Sequence, residues 1–99
     1  MVTFDKLFSP IQIGNITLKN RMVTAAMESH FNDDGGFVTD RYLAYVMARA
    51  KGGWGLVTTE LAPVSIEGRP YVGCMCFFSD SHIEGSKRLT AAVHKIPGA

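Results

Sequence analysis

Two short apolar segments on either side of an amphipathic pattern constrain the fold of this chain most strongly. Residues 22–27 (MVTAAM) lack the strict alternation of a half-exposed strand, which predicts a parallel strand covered on both faces. Residues 54–59 (WGLVTT) are a second stretch of this kind. Between them, apolar residues recur at helical spacing over residues 40–50, and Gly52-Gly53 is expected to end that helix. Strand, helix and strand in this order predict an α/β fold with a parallel sheet.

Further elements flank this unit on both sides. Residues 10–18 alternate apolar and polar side chains around Gly14-Asn15, which predicts a β-hairpin. A last helix is expected over residues 81–96, with Ser79 or Asp80 at its start. Its apolar face includes Ile83, Leu89, Val93 and Ile96. Residues 1–99 are therefore expected to form one structural unit.

A parallel sheet is either open and doubly wound or closed into a barrel. A doubly wound nucleotide fold requires a glycine-rich loop directly after its first strand, but residues 25–29 (AAMES) stand there. Neither G-x-G-x-x-G nor Walker A glycine spacing occurs elsewhere. This favours a (β/α)8 TIM barrel, preceded by the N-terminal hairpin. Two β-α units cannot close a barrel of eight strands, so the barrel is expected to be incomplete in this chain.

Composition excludes several classes of function. A hydrophobic content of 46% and a charged content of 19% are typical of a globular protein and argue against disorder. The net charge is +1 and there is no basic run, so no nucleic-acid partner is expected. No apolar run approaches the roughly 20 residues of a membrane span. Residues 1–8 lack the apolar region of a signal peptide, and we expect a cytoplasmic protein.

A few polar residues invite a chemical role and also have simpler explanations. Glu60 ends the second apolar segment and is either a perturbed catalytic carboxylate or the partner of Arg21 or Arg49; the salt bridge is favoured. Cys74 and Cys76 are expected to be reduced, packed thiols, because a C-x-C pair strains a disulfide and has no second pair for zinc. The remaining candidates, His82 and His94, are expected at the surface.

Three longer segments carry a resemblance to a known family. They are LFSPIQIGNITLKNR (residues 7–21), RAKGGWGL (residues 49–56) with Glu60 after it, and SDSHIEGSKRLTAAVH (residues 79–94). In this order and spacing they resemble the N-terminal quarter of the old yellow enzyme family, which consists of FMN-dependent oxidoreductases on a (β/α)8 barrel. The end of the last segment and the loop at residues 35–39 are similar to the branch that includes 2,4-dienoyl-CoA reductase, enoate reductases and trimethylamine dehydrogenase.

The resemblance implies hydride transfer from NAD(P)H through FMN to an activated C=C bond of an enoate or enoyl-CoA substrate. It also implies that a 4Fe-4S cluster and FAD, which some members of this branch carry, would lie outside this chain. The groups that bind the FMN phosphate and polarise the substrate would come from later strands. The 99-residue chain is therefore expected to be inactive alone.

The resemblance also places candidate site residues. The segment under the flavin ring would be Ala25, Ala26, Met27 and Glu28, with Leu61 approaching the ring from the second strand. His30 would face the substrate, although a loop histidine is as often turned to solvent.

Two positions in this segment depart from the family pattern. Ala26 stands where relatives often have proline, and Glu28 stands where many have Thr, Cys or His. A carboxylate about 4 Å from the reduced flavin would repel it by about 4 kcal/mol at an effective dielectric constant near 20. Glu28 is therefore expected either to lower the flavin potential or to turn into solvent.

Three hypotheses follow for the chain as a whole. The first is that it is the N-terminal part of a flavin oxidoreductase. The second is a small structural or interaction module that forms homo-oligomers through its open sheet edges, because unpaired apolar edges favour association. The third is a half-enzyme that a separate chain completes.

Overall fold

The computed structural model describes residues 1–99 and contains four short strands and two α-helices. A 3-10 turn at Asp80–His82 leads into the second helix. In chain order the elements are β1 (Ile11–Ile13), β2 (Ile16–Leu18), β3 (Val23–Thr24), α1 (Asp40–Lys51), β4 (Leu56–Val57) and α2 (Ile83–His94).

β1 and β2 form the N-terminal antiparallel hairpin. Ile13 pairs with Ile16, so Gly14 and Asn15 are the two turn residues. Gly14 has a φ of 59°, which a residue with a Cβ adopts only at a cost, and a positive φ at the first turn position is typical of a type II′ hairpin. The hairpin predicted from the alternating residues therefore forms around a turn that depends on Gly14.

β3 and β4 pair in parallel, with Val23 opposite Leu56 and Thr24 opposite Val57. The paired residues are fewer than the expected strands over residues 22–27 and 54–59. Val23 is 46% exposed and Leu56 is 40% exposed, so the expected cover on both faces is absent within these residues. Each strand has a single neighbour in the sheet.

α1 begins and ends at residues that satisfy its terminal backbone groups. The Thr39 hydroxyl accepts the backbone N–H of Tyr42 at 3.1 Å, and Asp40 lies in the first turn, where the helix dipole favours a negative charge. The helix ends at Gly52, and Gly53 follows with a φ of 98°. Its buried face contains Tyr42, Val46 and Ala50.

α2 packs against α1 to form the main core. The core side chains are Tyr42, Val46, Met75 and Leu89. α2 is shorter than the expected helix over residues 81–96, because residues 80–82 form a 3-10 turn and the helix ends at His94. Ile83 was expected on the apolar face but is exposed at the start of the helix.

The chain buries little of itself. Its radius of gyration is 15.1 Å, whereas about 13 Å is typical of a compact domain of 100 residues. Only 16 of 99 residues are buried, so the α1–α2 core supports an otherwise open structure. Neither helix has the length and apolar character needed to cross a membrane.

Candidate functional site

The candidate site lies where β3 and β4 end. Because the two strands run in parallel, their carboxyl ends lie side by side. The exposed segment Ala25–Glu28 follows β3, and Leu61 lies four residues beyond Val57 at the end of β4. No backbone N–H or C=O group of Ala25–Glu28 forms a hydrogen bond within the chain. This segment therefore presents unpaired donors and acceptors at an exposed edge.

Glu60 forms the buried centre of the site. It is only 4% exposed, and its carboxylate accepts four hydrogen bonds. Oε2 accepts the backbone N–H of Ser29 at 2.8 Å and the hydroxyl of Ser29 at 2.7 Å. Oε1 accepts Nδ2 of Asn32 at 2.5 Å and the backbone N–H of Met75 at 2.8 Å. One carboxylate thus joins the loops that contain these three residues.

The expected salt bridge from Glu60 to an arginine is wrong. Arg21 donates from Nε to the Ser9 hydroxyl at 3.1 Å. Arg49 lies over the Tyr45 ring, with its guanidinium carbon 3.4 Å from the ring centroid, and donates to the Tyr45 carbonyl at 2.8 Å. Both cations have local partners, and neutral N–H and O–H donors surround Glu60 instead.

Tyr42 supports Glu60 from α1. Its phenol oxygen accepts the backbone N–H of Glu60 at 2.9 Å. Burial raises the pKa of Tyr42 to about 12, because the phenolate is the form that desolvation disfavours. The phenol is therefore neutral at physiological pH and serves as a fixed acceptor.

His30 lies at the rim of the site, one residue beyond Ser29. It has a φ of 56°, an uncommon left-handed conformation for a residue other than glycine. Its exposed ring stacks on Tyr71, with a centroid distance of 4.0 Å and an interplanar angle of 28°. Burial raises the pKa of Tyr71 to about 12, and the buried hydroxyl oxygen has no hydrogen-bond partner. The sequence alone did not indicate Tyr71, because it lies 41 positions beyond His30 and no local pattern signals this contact.

His82 is buried, which contradicts its expected surface position. It is 5% exposed, and Nε2 lies 2.9 Å from the carbonyl oxygen of Gly35. Its ring packs between Phe37 and Phe78, with centroid distances of 4.8 and 4.9 Å. The histidine thus joins the start of α2 to the loop before α1. His94 is exposed at the end of α2.

Cys74 and Cys76 are free and buried. Their sulfur atoms lie 4.0 Å apart. Burial, reinforced by the hydrogen bond with Cys74, raises the pKa of the Cys76 thiol. No group of three or more His, Cys, Asp or Glu side chains is placed to hold a metal ion. The two thiols therefore contribute packing next to the Met75 hydrogen bond.

Comparison with known proteins identifies related sequences and structures. The sequence profile of the NADH:flavin oxidoreductase / NADH oxidase family matches residues 6–98. The chain belongs to this family. Solved structures agree: the chain is similar to a 2-naphthoyl-CoA reductase in complex with 2-naphthoyl-CoA, at 41% identity and a TM-score of 0.93. It is also similar to the old yellow enzyme from Pichia sp. AKU4542, at 32% identity and a TM-score of 0.87. The resemblance to the old yellow enzyme family is confirmed.

This family member spans only a part of its relatives. It is 39% identical to N,N-dimethylglycine/sarcosine dehydrogenase of Chromohalobacter salexigens, over 98% of the chain and 14% of the relative. It is 41% identical to NADPH dehydrogenase of Bacillus subtilis, over 89% of the chain and 26% of the relative. The two structures are covered to 15% and 24%, and the chain to 98% and 95%. The chain therefore spans at most about a quarter of the length of each of these relatives.

Proposed function

We propose that the chain is the first part of an FMN-dependent oxidoreductase, in which it forms the first two β-α units of a (β/α)8 barrel. The reaction is hydride transfer from NAD(P)H through FMN to an activated C=C bond. One observation carries the proposal: a member of this flavin oxidoreductase family exposes unpaired backbone groups at Ala25–Glu28, at the carboxyl ends of its parallel strands. Active sites of barrel enzymes lie at this end.

The residues at this edge fit a flavin ring. The ring has a polar edge that requires hydrogen-bond donors and acceptors, and Ala25–Glu28 offer free N–H and C=O groups. Its apolar part requires contacts with side chains, and both Met27, at 60% exposure, and Leu61 are exposed here. Ala25, Ala26, Met27, Glu28 and Leu61 would therefore hold the ring. FMN, when bound, supplies the hydride chemistry, and the protein supplies orientation and electrostatics.

His30 and Tyr71 would form one wall of the substrate pocket. Their stacked rings lie directly beyond the segment that would hold FMN, and the His30 ring is exposed. A planar unsaturated acyl group would pack on such a surface through offset stacking. We propose His30 as the residue that contacts the substrate and Tyr71 as its support.

An enoate or enoyl-CoA thioester is the proposed substrate class. The similarity to a structure that contains a CoA thioester supports it. The similarity to a dehydrogenase of N,N-dimethylglycine and sarcosine favours a second candidate, in which hydride leaves a small methylated amine. An iron–sulfur cluster and FAD would belong to regions outside these residues. We place the activity in the cytoplasm.

The exposed apolar face of the β3–β4 sheet supports a barrel rather than a finished module. Val23 and Leu56 are paired in the sheet yet remain about half exposed. Further strands of a barrel would cover these side chains, whether they belong to the same chain or to a separate one. A homo-oligomer through the open sheet edges would cover them as well. Sedimentation of the short chain tests the homo-oligomer, because self-association predicts a mass that rises with concentration.

The activity test uses the protein as its gene encodes it, purified with FMN. Anaerobic oxidation of NADH and NADPH is followed with crotonyl-CoA and 2-naphthoyl-CoA as acceptors, and FMN reduction is followed with sarcosine as donor. The proposal predicts NAD(P)H oxidation that depends on FMN and a thioester. His30→Ala should raise KM for the thioester while FMN stays bound, and Glu84→Gln on the exposed face of α2 should change neither. FMN reduction by sarcosine alone would favour the second candidate.

A further inference from the structure

We propose that Glu60 is a positioning residue: its carboxylate fixes both the segment that would bind FMN and the His30–Tyr71 wall. This inference rests on the proposed function, because it assigns a role in that same site. It arises from the four hydrogen bonds at one buried carboxylate, which no cation neutralises.

The geometry saturates the carboxylate. An ionised carboxylate accepts about four hydrogen bonds, and two donors converge on each oxygen of Glu60. Such charge-assisted bonds are roughly twice as strong as neutral ones. The backbone N–H of Glu60 is itself held by the Tyr42 phenol. The backbone of Glu60 is therefore anchored to α1, and both oxygens of its carboxylate are fully occupied as hydrogen-bond acceptors.

Ser29 connects the Glu60 carboxylate to the segment that would bind FMN. Before the segment, the Thr24 hydroxyl accepts the backbone N–H of Thr58 at 2.9 Å. Residues 25–28 then form no hydrogen bond within the chain, and Ser29 is the next attachment. The segment is thus held only at its two ends.

Met75 connects the Glu60 carboxylate to the proposed substrate wall, which consists of His30 and Tyr71. Oε1 of Glu60 holds the backbone N–H of Met75, and the carbonyl of Gly73 accepts the backbone N–H of Asn32 at 3.1 Å. Tyr71 precedes these residues and stacks on His30. The two sides of the stack therefore meet through Glu60, and loss of its acceptors would move the ring-binding segment and the wall together.

Glu60→Gln tests this role because it keeps shape and removes one acceptor. The Gln Nε2 group would face either the backbone N–H of Ser29 or that of Met75, and neither N–H can become an acceptor. Asn32 offers its unpartnered Oδ1 after an amide flip, so only the two backbone contacts are decisive. Glu84→Gln, at an exposed i,i+3 pair on α2, controls for the same chemical change.

The measurements use the protein as its gene encodes it. In the FMN-free protein, hydrogen exchange should accelerate at least tenfold in Glu60→Gln at the amide of Ser29 or of Met75, whichever faces Nε2, while the amide of Val46 in α1 should not change. The FMN dissociation constant should rise at least tenfold, which corresponds to about 1.4 kcal/mol. Both are measured well below the thermal midpoint, so that a purely structural role would leave the dissociation constant unchanged.

Wild-type exchange at both amides together with wild-type FMN affinity would overturn the inference. If Glu60→Gln does not fold, Ser29→Ala replaces it, because it keeps the Glu60 carboxylate and removes the hydroxyl that donates to it at 2.7 Å; this hydroxyl also accepts the backbone N–H of Phe31 at 3.2 Å. An FMN dissociation constant raised about threefold would support the inference, and an unchanged value would overturn it. If the unsubstituted protein does not bind FMN, the proposed function fails. The exchange rates then still decide whether Glu60 fixes the two loops.

Discussion

The phenol oxygen of Tyr42 accepts the backbone N–H of Glu60 at 2.9 Å and thereby joins the first turn of α1 to the end of β4. Both residues are buried, so neither group has water as an alternative partner. A helix capped at Thr39 thus determines where the Glu60 carboxylate begins, and Glu60 in turn holds Ser29 and Met75. The candidate site depends on a core contact that contributes no chemistry of its own.

Tyr42→Phe should destabilise the fold because it leaves the buried N–H of Glu60 without an acceptor. An unsatisfied buried backbone donor costs about 1–3 kcal/mol. The thermal midpoint measured by circular dichroism should fall accordingly. Tyr45→Phe is the matched control, since the Tyr45 hydroxyl forms no hydrogen bond within the chain and its loss should cost no more than about 0.5 kcal/mol. Equal midpoints for the two variants would contradict this prediction.

Stability should fall at alkaline pH because the pKa of Tyr42 is raised from 10.0 to about 12 in the folded protein. The folded state binds this proton more tightly, so the contribution is complete below pH 10 and is lost as pH rises toward 12. The loss is about 2–3 kcal/mol. Urea unfolding at pH 9 and pH 11.5 should show a steeper decline in the unsubstituted protein than in Tyr42→Phe. Parallel declines would show that Tyr42 does not titrate in this range.

Gly36→Ala should destabilise the protein more than Gly14→Ala. Gly36 has a φ of 80°, and a Cβ there would collide with the Cys76 side chain, at 2.6 Å from its Cβ. Strain and overpacking together should cost about 2–4 kcal/mol. Gly14 has a φ of 59° but open space around it, so strain alone remains, about 1–2 kcal/mol. Chemical denaturation of both variants tests the order, and a larger loss at Gly14 would be inconsistent with the packing at Cys76.

Glu28→Thr should raise the FMN reduction potential in the holoenzyme, because it removes a negative charge from the segment proposed to lie under the ring. Glu28 is exposed, and solvent weakens the repulsion. A rise of roughly 20–40 mV, equivalent to about 1–2 kcal/mol for a two-electron couple, is expected. Glu67→Thr, in the exposed loop before Arg69, serves as a control. A potential equal to that of the unsubstituted protein would show that Glu28 turns away from the ring.

The sequence predicted elements whose causes are local. The Gly14 turn and the end of α1 at Gly52 depend on neighbouring residues, and both lie where the pattern indicated. The order of parallel strand, helix and strand was also visible. The strand lengths were not, because residues 25–28 and 58–60 form no strand pairing within these 99 residues.

The contacts of the site were largely invisible in the sequence. Glu60 was expected to be either a perturbed catalytic carboxylate or the partner of an arginine, and the arginine, the commoner partner of a carboxylate, was wrongly preferred. Its actual partners are Ser29 and Asn32 in the loop before α1 and Met75 in the connection after β4, and only the folding of these two loops brings them together. His82 was misplaced at the surface for a similar reason, since its burial depends on Phe37 and Phe78 from separate loops.

Titration of FMN into the flavin-stripped protein, prepared as its gene encodes it, tests the central claim most directly. Protein-bound FMN should appear with one equivalent per chain, with a perturbed visible spectrum that NADH or NADPH bleaches under anaerobic conditions. The affinity should fall when Glu60 is replaced by Gln and remain unchanged when Glu84 is replaced by Gln. A folded protein that leaves the FMN spectrum unperturbed at millimolar concentrations would contradict the assignment of Ala25–Glu28 as a flavin-binding segment.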